Sequence, residues 1–312
     1  MARPRAGARG LVSQWGGCTR MARNDRWAGT VFVLAATLAW SASGVYMRLL
    51  SVDVSTTIAL RALFGALFLG LACLLLPNRR DQWRALAHPA GFALVLCQVT
   101  GQACFVGAMY YTSIANVMFI GATLPFVAAL LARLLLREPL KRSTMVSGLV
   151  CLFGVTVIVV SSGSVGLRVG DILAFGLTLS YAVIGLLPKI KPDLPILPPV
   201  LVGCLVTFAL FLPMASVGGI SRFDWGVLAL FGATNSCLAL VLYLSGAKLL
   251  SADEAALLST ADVVLAPTWV WLMFSERPAP ATLVGGAIIV VAIVLHAVLQ
   301  WRRSDISTNP AV

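Results

Sequence analysis

The sequence predicts an all-α integral membrane protein, with ten transmembrane helices arranged as two inverted five-helix repeats. Three observations carry this prediction. Ten apolar stretches follow one another almost end to end, basic residues gather at alternate ends of them, and the first five stretches share spaced residues with the last five. Each stretch is about 20 residues long, the helix length needed to cross a hydrocarbon core of about 30 Å without leaving backbone groups unpaired. Composition agrees: 59% of residues are hydrophobic and 11% charged, against about 25% charged in soluble domains. The mean hydropathy is +0.93.

Residues 1–26 hold six arginines and no apolar core segment, so they do not read as a cleavable signal peptide. They are predicted to be a disordered basic tail. Met21 opens a second Met-Ala-Arg run, which makes the residues before it an optional extension. The spans are placed at 27–48, 56–76, 89–109, 115–136 and 143–161, then 170–187, 195–215, 225–246, 254–274 and 280–300. The connections are too short for a soluble domain. Residues 27–161 form the first repeat, 170–300 the second, and 301–312 a carboxy-terminal tail.

The net charge of +11 invites a nucleic-acid reading until the charges are located. With a cytoplasmic amino terminus, eighteen Lys and Arg fall on the inner side and only Arg48, Arg168, Arg222 and Arg277 on the outer, with Arg61 inside a span. Basic residues near span ends resist translocation. The charge therefore sets orientation, both termini fall in the cytoplasm, and no nucleic-acid partner is implied. The seven cysteines are Cys18, Cys73, Cys97, Cys104, Cys151, Cys204 and Cys237; they form no Cys-x-x-Cys pair and have no neighbouring histidine. They read as small apolar residues, with neither metal site nor disulfide framework.

The repeat is visible in matched residues. Leu38-Ala39-Trp40-Ser41 corresponds to Leu179-Ser180-Tyr181-Ala182, Gly29 to Gly170, and Gly107-Ala108 to Gly246-Ala247. Glu138-Pro139 corresponds to Glu276-Arg277-Pro278, and a glycine follows ten residues after each glutamate, at Gly148 and Gly286. Five spans per unit is an odd number, so the second copy enters the membrane from the other side. The loop Arg137-Glu138-Pro139-Leu140-Lys141-Arg142 is basic, whereas Ser275-Glu276-Arg277-Pro278-Ala279-Pro280 has lost most of that charge. Inverted repeats of this kind place substrate near the midplane where the repeats meet.

The run Gly107-Ala108-Met109-Tyr110-Tyr111-Thr112-Ser113-Ile114-Ala115-Asn116, continued through Pro125 to Glu138, resembles the signature of the EamA-type drug/metabolite transporters. Trp40 and Arg61 fit that family as well. The resemblance covers about residues 27–300 and recurs in both halves. It implies ten helices and transport of small metabolites, often amino acids or related compounds, outward. One departure stands out: Val263 occupies a position where the family often has proline, Pro267 follows one turn later, and Asp262 lies beside the departure.

Asp262 is the leading functional candidate, because a carboxylate inside a span costs at least about 2.5–3.5 kcal/mol and must face a cavity, pair or be protonated. The alternative is a capping role at the backbone irregularity made by Pro267. Arg61, about five residues deep, is shallow enough to snorkel outward, and anchoring or packing between helices is favoured over substrate contact. Trp40 and Tyr181 are repeat-equivalent and expected to wall a cavity. Tyr46 falls 240° from Trp40 in ordinary helix registration and so cannot centre on the same face. Gln98 and Gln102 share a face that points to a cavity or to another helix. Asn116, Asn235 and Tyr243 complete the substrate-binding set, with helix packing as the alternative for each. Trp269 and Trp271 read as an interfacial belt or part of the route. Pro125, Glu138, Pro267 and Glu276 are structural motif residues; the glutamates sit at helix ends within reach of arginine.

These residues point to a secondary transporter in the inner membrane, working by alternating access on a small-molecule substrate, with lipid as its other partner. There is no nucleotide-binding motif, so no cofactor is implied and energy comes from gradients. A passive channel or facilitator is the nearer alternative. A membrane-embedded enzyme would need a cluster of His, Asp, Glu or nucleophiles at one depth. The fifth and tenth spans read as scaffold or as homodimer contacts.

Overall fold

The computed structural model describes residues 23–75, 83–137, 142–161, 169–191, 194–247, 249, 258, 259 and 261–308. Among these residues every regular element is helical. The helices are α1 (Arg23–Ser41), α2 (Ser43–Leu49), α3 (Val54–Leu75), α4 (Pro89–Tyr111), α5 (Ile114–Gly121), α6 (Leu124–Leu136) and α7 (Arg142–Ser161). They continue with α8 (Val169–Ile190), α9 (Leu197–Phe211), α10 (Arg222–Phe231), α11 (Ala239–Ala247), α12 (Asp262–Phe274) and α13 (Pro280–Thr308). A π-helical segment, Gly232–Leu238, joins α10 to α11.

Among the described residues, six helical stretches are long and apolar enough to cross a membrane: Trp27–Leu49, Val54–Leu74, Pro89–Tyr111, Val169–Leu187, Leu197–Met214 and Arg222–Gly246. The bent pair Ile114–Gly121 and Phe126–Leu135, angled by 42°, makes a seventh if it is one span. The other three predicted spans correspond to the shorter apolar helices Met145–Val157, Asp262–Phe274 and Pro280–Ala292.

Two spans differ from their predicted form, while α1 and α2 run on through helical Ala42 as one stretch, Trp27–Leu49. The fourth breaks where Pro125 takes the second position of α6; a missing N–H is harmless in a first turn but ends a preceding helix. The tenth runs on as helix to Thr308, through most of what reads as a tail. Outside the described residues lie the N-terminal tail up to 22, Glu138, and the 162–168 loop.

The packing bears the mark of two equivalent halves. The most extensive contacts are α4 with α8, α7 with α13, α3 with α9, and α1 with α11. Exchanging each span of one half for its counterpart turns the α4–α8 contact into α1–α11 and leaves the other two unchanged. The same exchange relates α6–α8 to α1–α12, and α4–α9 to the contact of α3 with the π segment. Backbone geometry repeats as well. Arg137 and Ser275 are the only non-glycine residues with positive φ among the described residues, at 56° and 55°. Each closes its helix in the left-handed cap conformation directly before a motif glutamate.

The main core cluster gathers Met47, Ile58, Phe105, Met109, Val117, Phe231 and Val270 from both halves. The outer surface carries exposed Leu67, Leu71, Phe92, Leu96, Leu149, Phe153 and Val291. In lipid such a surface needs no cover.

Candidate functional site

Arg61 projects from the second turn of α3 into the interior and is only 3% exposed. It does not snorkel outward but packs between helices. Its guanidinium carbon lies 5.1 Å from the Phe105 ring centroid and 4.6 Å from that of Phe231. Cation–π contact of this kind is worth up to about 2 kcal/mol when desolvated, which holds the side chain inward. Nη2 donates to Asn235 Oδ1 at 2.6 Å, while Nε is buried without a partner. Tyr181 and Cys204 lie within electrostatic reach of the guanidinium, and neither is a carboxylate. Taking an ion out of water costs several kcal/mol even after relaxation, and the ion pair seen among the described residues lies elsewhere.

Asn235 belongs to the π segment. Its side chain holds Arg61, and its backbone carbonyl accepts the Trp40 indole N–H at 3.1 Å. A π turn moves carbonyls off the usual i→i+4 ladder and recurs at functional sites. Gly65 and Gly232 permit the close approach of α3 to this segment. A Cβ on Gly232 would lie 2.7 Å from Gly65 N, and one on Gly65 would lie 2.8 Å from Ser236 Cβ. The sequence reading singled out neither glycine, nor Phe105, Phe231 and Ser236. Two glycines in apolar runs, one heading a cluster of small residues in mid-span, were the available signal.

Trp40 packs at a tilt against Tyr243 at 5.3 Å, and Tyr46 against Phe231 at 5.2 Å. Both aromatic residues of the first span thus reach the eighth, at different levels of it: Tyr243 lies in α11 and Phe231 in α10. Tyr181 lies against α4, where a Cβ on Gly101 would meet its Cε1 at 3.5 Å. Trp40 and Tyr181 therefore make corresponding contacts, each with the third span of the opposite half.

Gln98 and Gln102 both face α9. Gln102 is buried, and its Nε2 donates to Cys204 Sγ at 3.3 Å. A Cβ on Gly203 would lie 2.8 Å from Gln98 Cγ. Of the two alternatives for this face, the structure realises helix contact, although Gln102 Oε1 is buried without a partner.

Asn116 belongs to a separate network. Thr112 Oγ1 donates to Asp171 Oδ1 at 3.0 Å, Asn116 Nδ2 donates to Thr112 Oγ1 at 3.3 Å, and Thr282 Oγ1 donates to Asn116 Oδ1 at 3.2 Å. Ser113 caps α5 by accepting from the Asn116 N–H. The Tyr-Thr-Ser run is thus a joint between the ends of α4, α5, α8 and α13. Glu276 pairs with Arg48 through two hydrogen bonds of 2.6 and 2.9 Å.

Asp262 opens α12 with its Oδ1 buried and without a partner. Pro267 lies inside the same helix, and Trp269 donates from its indole N–H to Ser41 Oγ at 3.1 Å, tying α12 to α1. Trp271 is exposed.

The model of the EamA-like transporter family matches residues 27–160 and again 168–298. No curated protein matches the chain. One crystal structure similar to it has a TM-score of 0.61 at 16% identity, covering 87% of this chain and 98% of that chain. At that identity the likeness concerns the fold.

Proposed function

Because the chain belongs to the EamA-like transporter family, we propose that it is a secondary transporter for a small organic metabolite, an amino acid or related compound, working by alternating access. The observation that carries this reading is the pairing of helices between two matched halves. Two units that share every major interface can rock about it, closing one end as the other opens. In this reading ten helices cross the inner membrane in two inverted repeats, both termini are cytoplasmic, and transport is outward.

Asp262 serves as the cation or proton site. Its support is a buried carboxylate oxygen with no hydrogen-bond partner, at the start of a helix that carries Pro267 in its interior. A charge kept in such a position at a cost of a few kcal/mol calls for a ligand or a proton.

The test begins with an untargeted comparison of metabolites accumulated by cells with and without the protein. Compounds that differ are then offered to proteoliposomes holding the purified chain. Uptake that depends on an imposed proton or ion gradient is expected. Flux that equilibrates at the same rate whatever the gradient would make the protein a passive facilitator.

A further inference from the structure

We propose that Arg61 is an anion-binding site and that the transported solute carries an acidic group, such as a carboxylate, which docks on the guanidinium edge between Phe105 and Phe231. This deepens the transporter reading and rests on it. An arginine with a purely structural task generally has its fork filled, since a guanidinium carries five N–H donors in fixed directions. Here the Nε–H is buried and unmatched, and Nη2 is held by Asn235 at 2.6 Å. The two phenylalanine rings occupy the surroundings of the cation at 5.1 and 4.6 Å. A ring offers at most a weak N–H···π contact, so the strong acceptor that the unmatched Nε–H lacks is left for a ligand to supply.

Three further features fit a ligand site. Among the described residues, the neighbours acting on the charge are Tyr181 and Cys204, and neither is a carboxylate. Low polarity around the guanidinium strengthens attraction to an incoming anion. Asn235 is a positioning residue fixed at both ends, its backbone carbonyl bonded to Trp40 and its side chain to Arg61. The π segment that carries it would shift both contacts at once if it relaxed to ordinary helix. The cation is enclosed in this conformation, so an anion reaches it only when the halves separate.

The experiment uses the full chain in lipid nanodiscs, with thermal unfolding followed by tryptophan fluorescence at constant ionic strength. The probes are acetate, benzoate and inorganic phosphate, with benzamide as the neutral isostere of benzoate. At least one anion should raise the unfolding midpoint of the parent while benzamide leaves it unchanged. The shift should vanish in Arg61→Met and persist in part in Arg61→Lys. Without ligand, Arg61→Met should unfold at or above the parental midpoint, because it removes an unpaired buried charge and keeps an unbranched apolar stem. A lower midpoint for Arg61→Met would mark the arginine as a packing element and overturn the proposal. So would an anion shift that survives Arg61→Met, or a parent that none of the three anions protects. Arg61-dependent protection without flux of any solute in proteoliposomes would sink the transporter reading and leave the anion site standing. Transport of a neutral or cationic solute that Arg61→Met leaves intact would do the reverse.

Discussion

Arg48 and Glu276 are joined by two parallel hydrogen bonds across 228 residues of sequence, Nε to Oε2 at 2.6 Å and Nη2 to Oε1 at 2.9 Å. The pair fastens the end of α2, in the first half, to the segment following α12, in the second. Its side chains are 31% and 32% exposed, so solvent screens it and its coupling should be about 0.5–1 kcal/mol. A double-mutant cycle with Arg48→Gln and Glu276→Gln, read by thermal unfolding, measures this directly. A coupling of zero would reduce the contact to coincidence. If the two halves separate at this end during transport, Glu276→Gln should also change the turnover rate in proteoliposomes.

Asp262→Asn keeps the shape of the side chain and removes its charge. With variant and parent reconstituted at matched amounts, initial transport rates are expected to fall about tenfold or more, equivalent to about 1.4 kcal/mol, and the pH profile to flatten. A parental rate and profile would return Asp262 to the structural class.

The small-residue contact of α7 with α13 makes a prediction about packing. A Cβ on Gly154 would lie 2.7 Å from Ile289 Cγ1 and 2.8 Å from the Gly285 carbonyl oxygen. Gly154→Ala should therefore destabilise by about 1–3 kcal/mol. Gly185 in α8 has nothing within 4 Å of its would-be Cβ, and Gly185→Ala should instead stabilise by about 0.5–1 kcal/mol through helix propensity. Equal midpoints for the two variants would contradict the packing described.

Asp53 precedes α3 and lies outside the spans. Its carboxylate accepts from the Thr56 N–H at 3.0 Å and from the Thr56 hydroxyl. Burial pushes its pKa up, but the Thr56 side chain and the backbone N–H groups outweigh that and hold it below the ordinary value of 3.8. A lowered folded-state pKa means the stabilisation is present above 3.8 and lost as pH falls through the lower folded value. Asp53→Ala should cost about 0.5–2 kcal/mol at neutral pH, as loss of a cap does. The gap between variant and parent should close in acid, as unfolding midpoints measured down the pH scale would reveal.

Orientation is tested by single cysteines on a cysteine-free background, labelled from outside intact cells. Positions Arg137 and Arg277 occupy equivalent loops and are both exposed. Cysteine at Arg277 should label and cysteine at Arg137 should not. The opposite pattern would reverse the topology drawn from the basic residues.

The halves were legible because their evidence is periodic and local. Lipid demands apolar runs of fixed length, and the left-handed caps at Arg137 and Ser275 lie beside a glutamate that the eye can match across copies. Asp262 was legible because a lone carboxylate in an apolar run is conspicuous. The inward turn of Arg61 was not legible. Depth along a helix can be counted, whereas direction depends on which partners lie beside it, and the attraction of Phe105 and Phe231 is a tertiary fact. The π segment was equally hidden, since no residue pattern announces one extra residue in a turn. Thr112 illustrates a third case, in which a family motif was recognised before its work was known. Its hydroxyl bridges Asp171 and Asn116.

Each of the four largest interfaces, α1 with α11, α3 with α9, α4 with α8 and α7 with α13, takes one helix from each half. Each five-helix unit therefore finds most of its packing in the other unit, which the same family model matches. Asp262, with Leu124 in its counterpart position, is a place where the likeness was given up. Symmetry built the frame, and chemistry entered where the two copies ceased to agree.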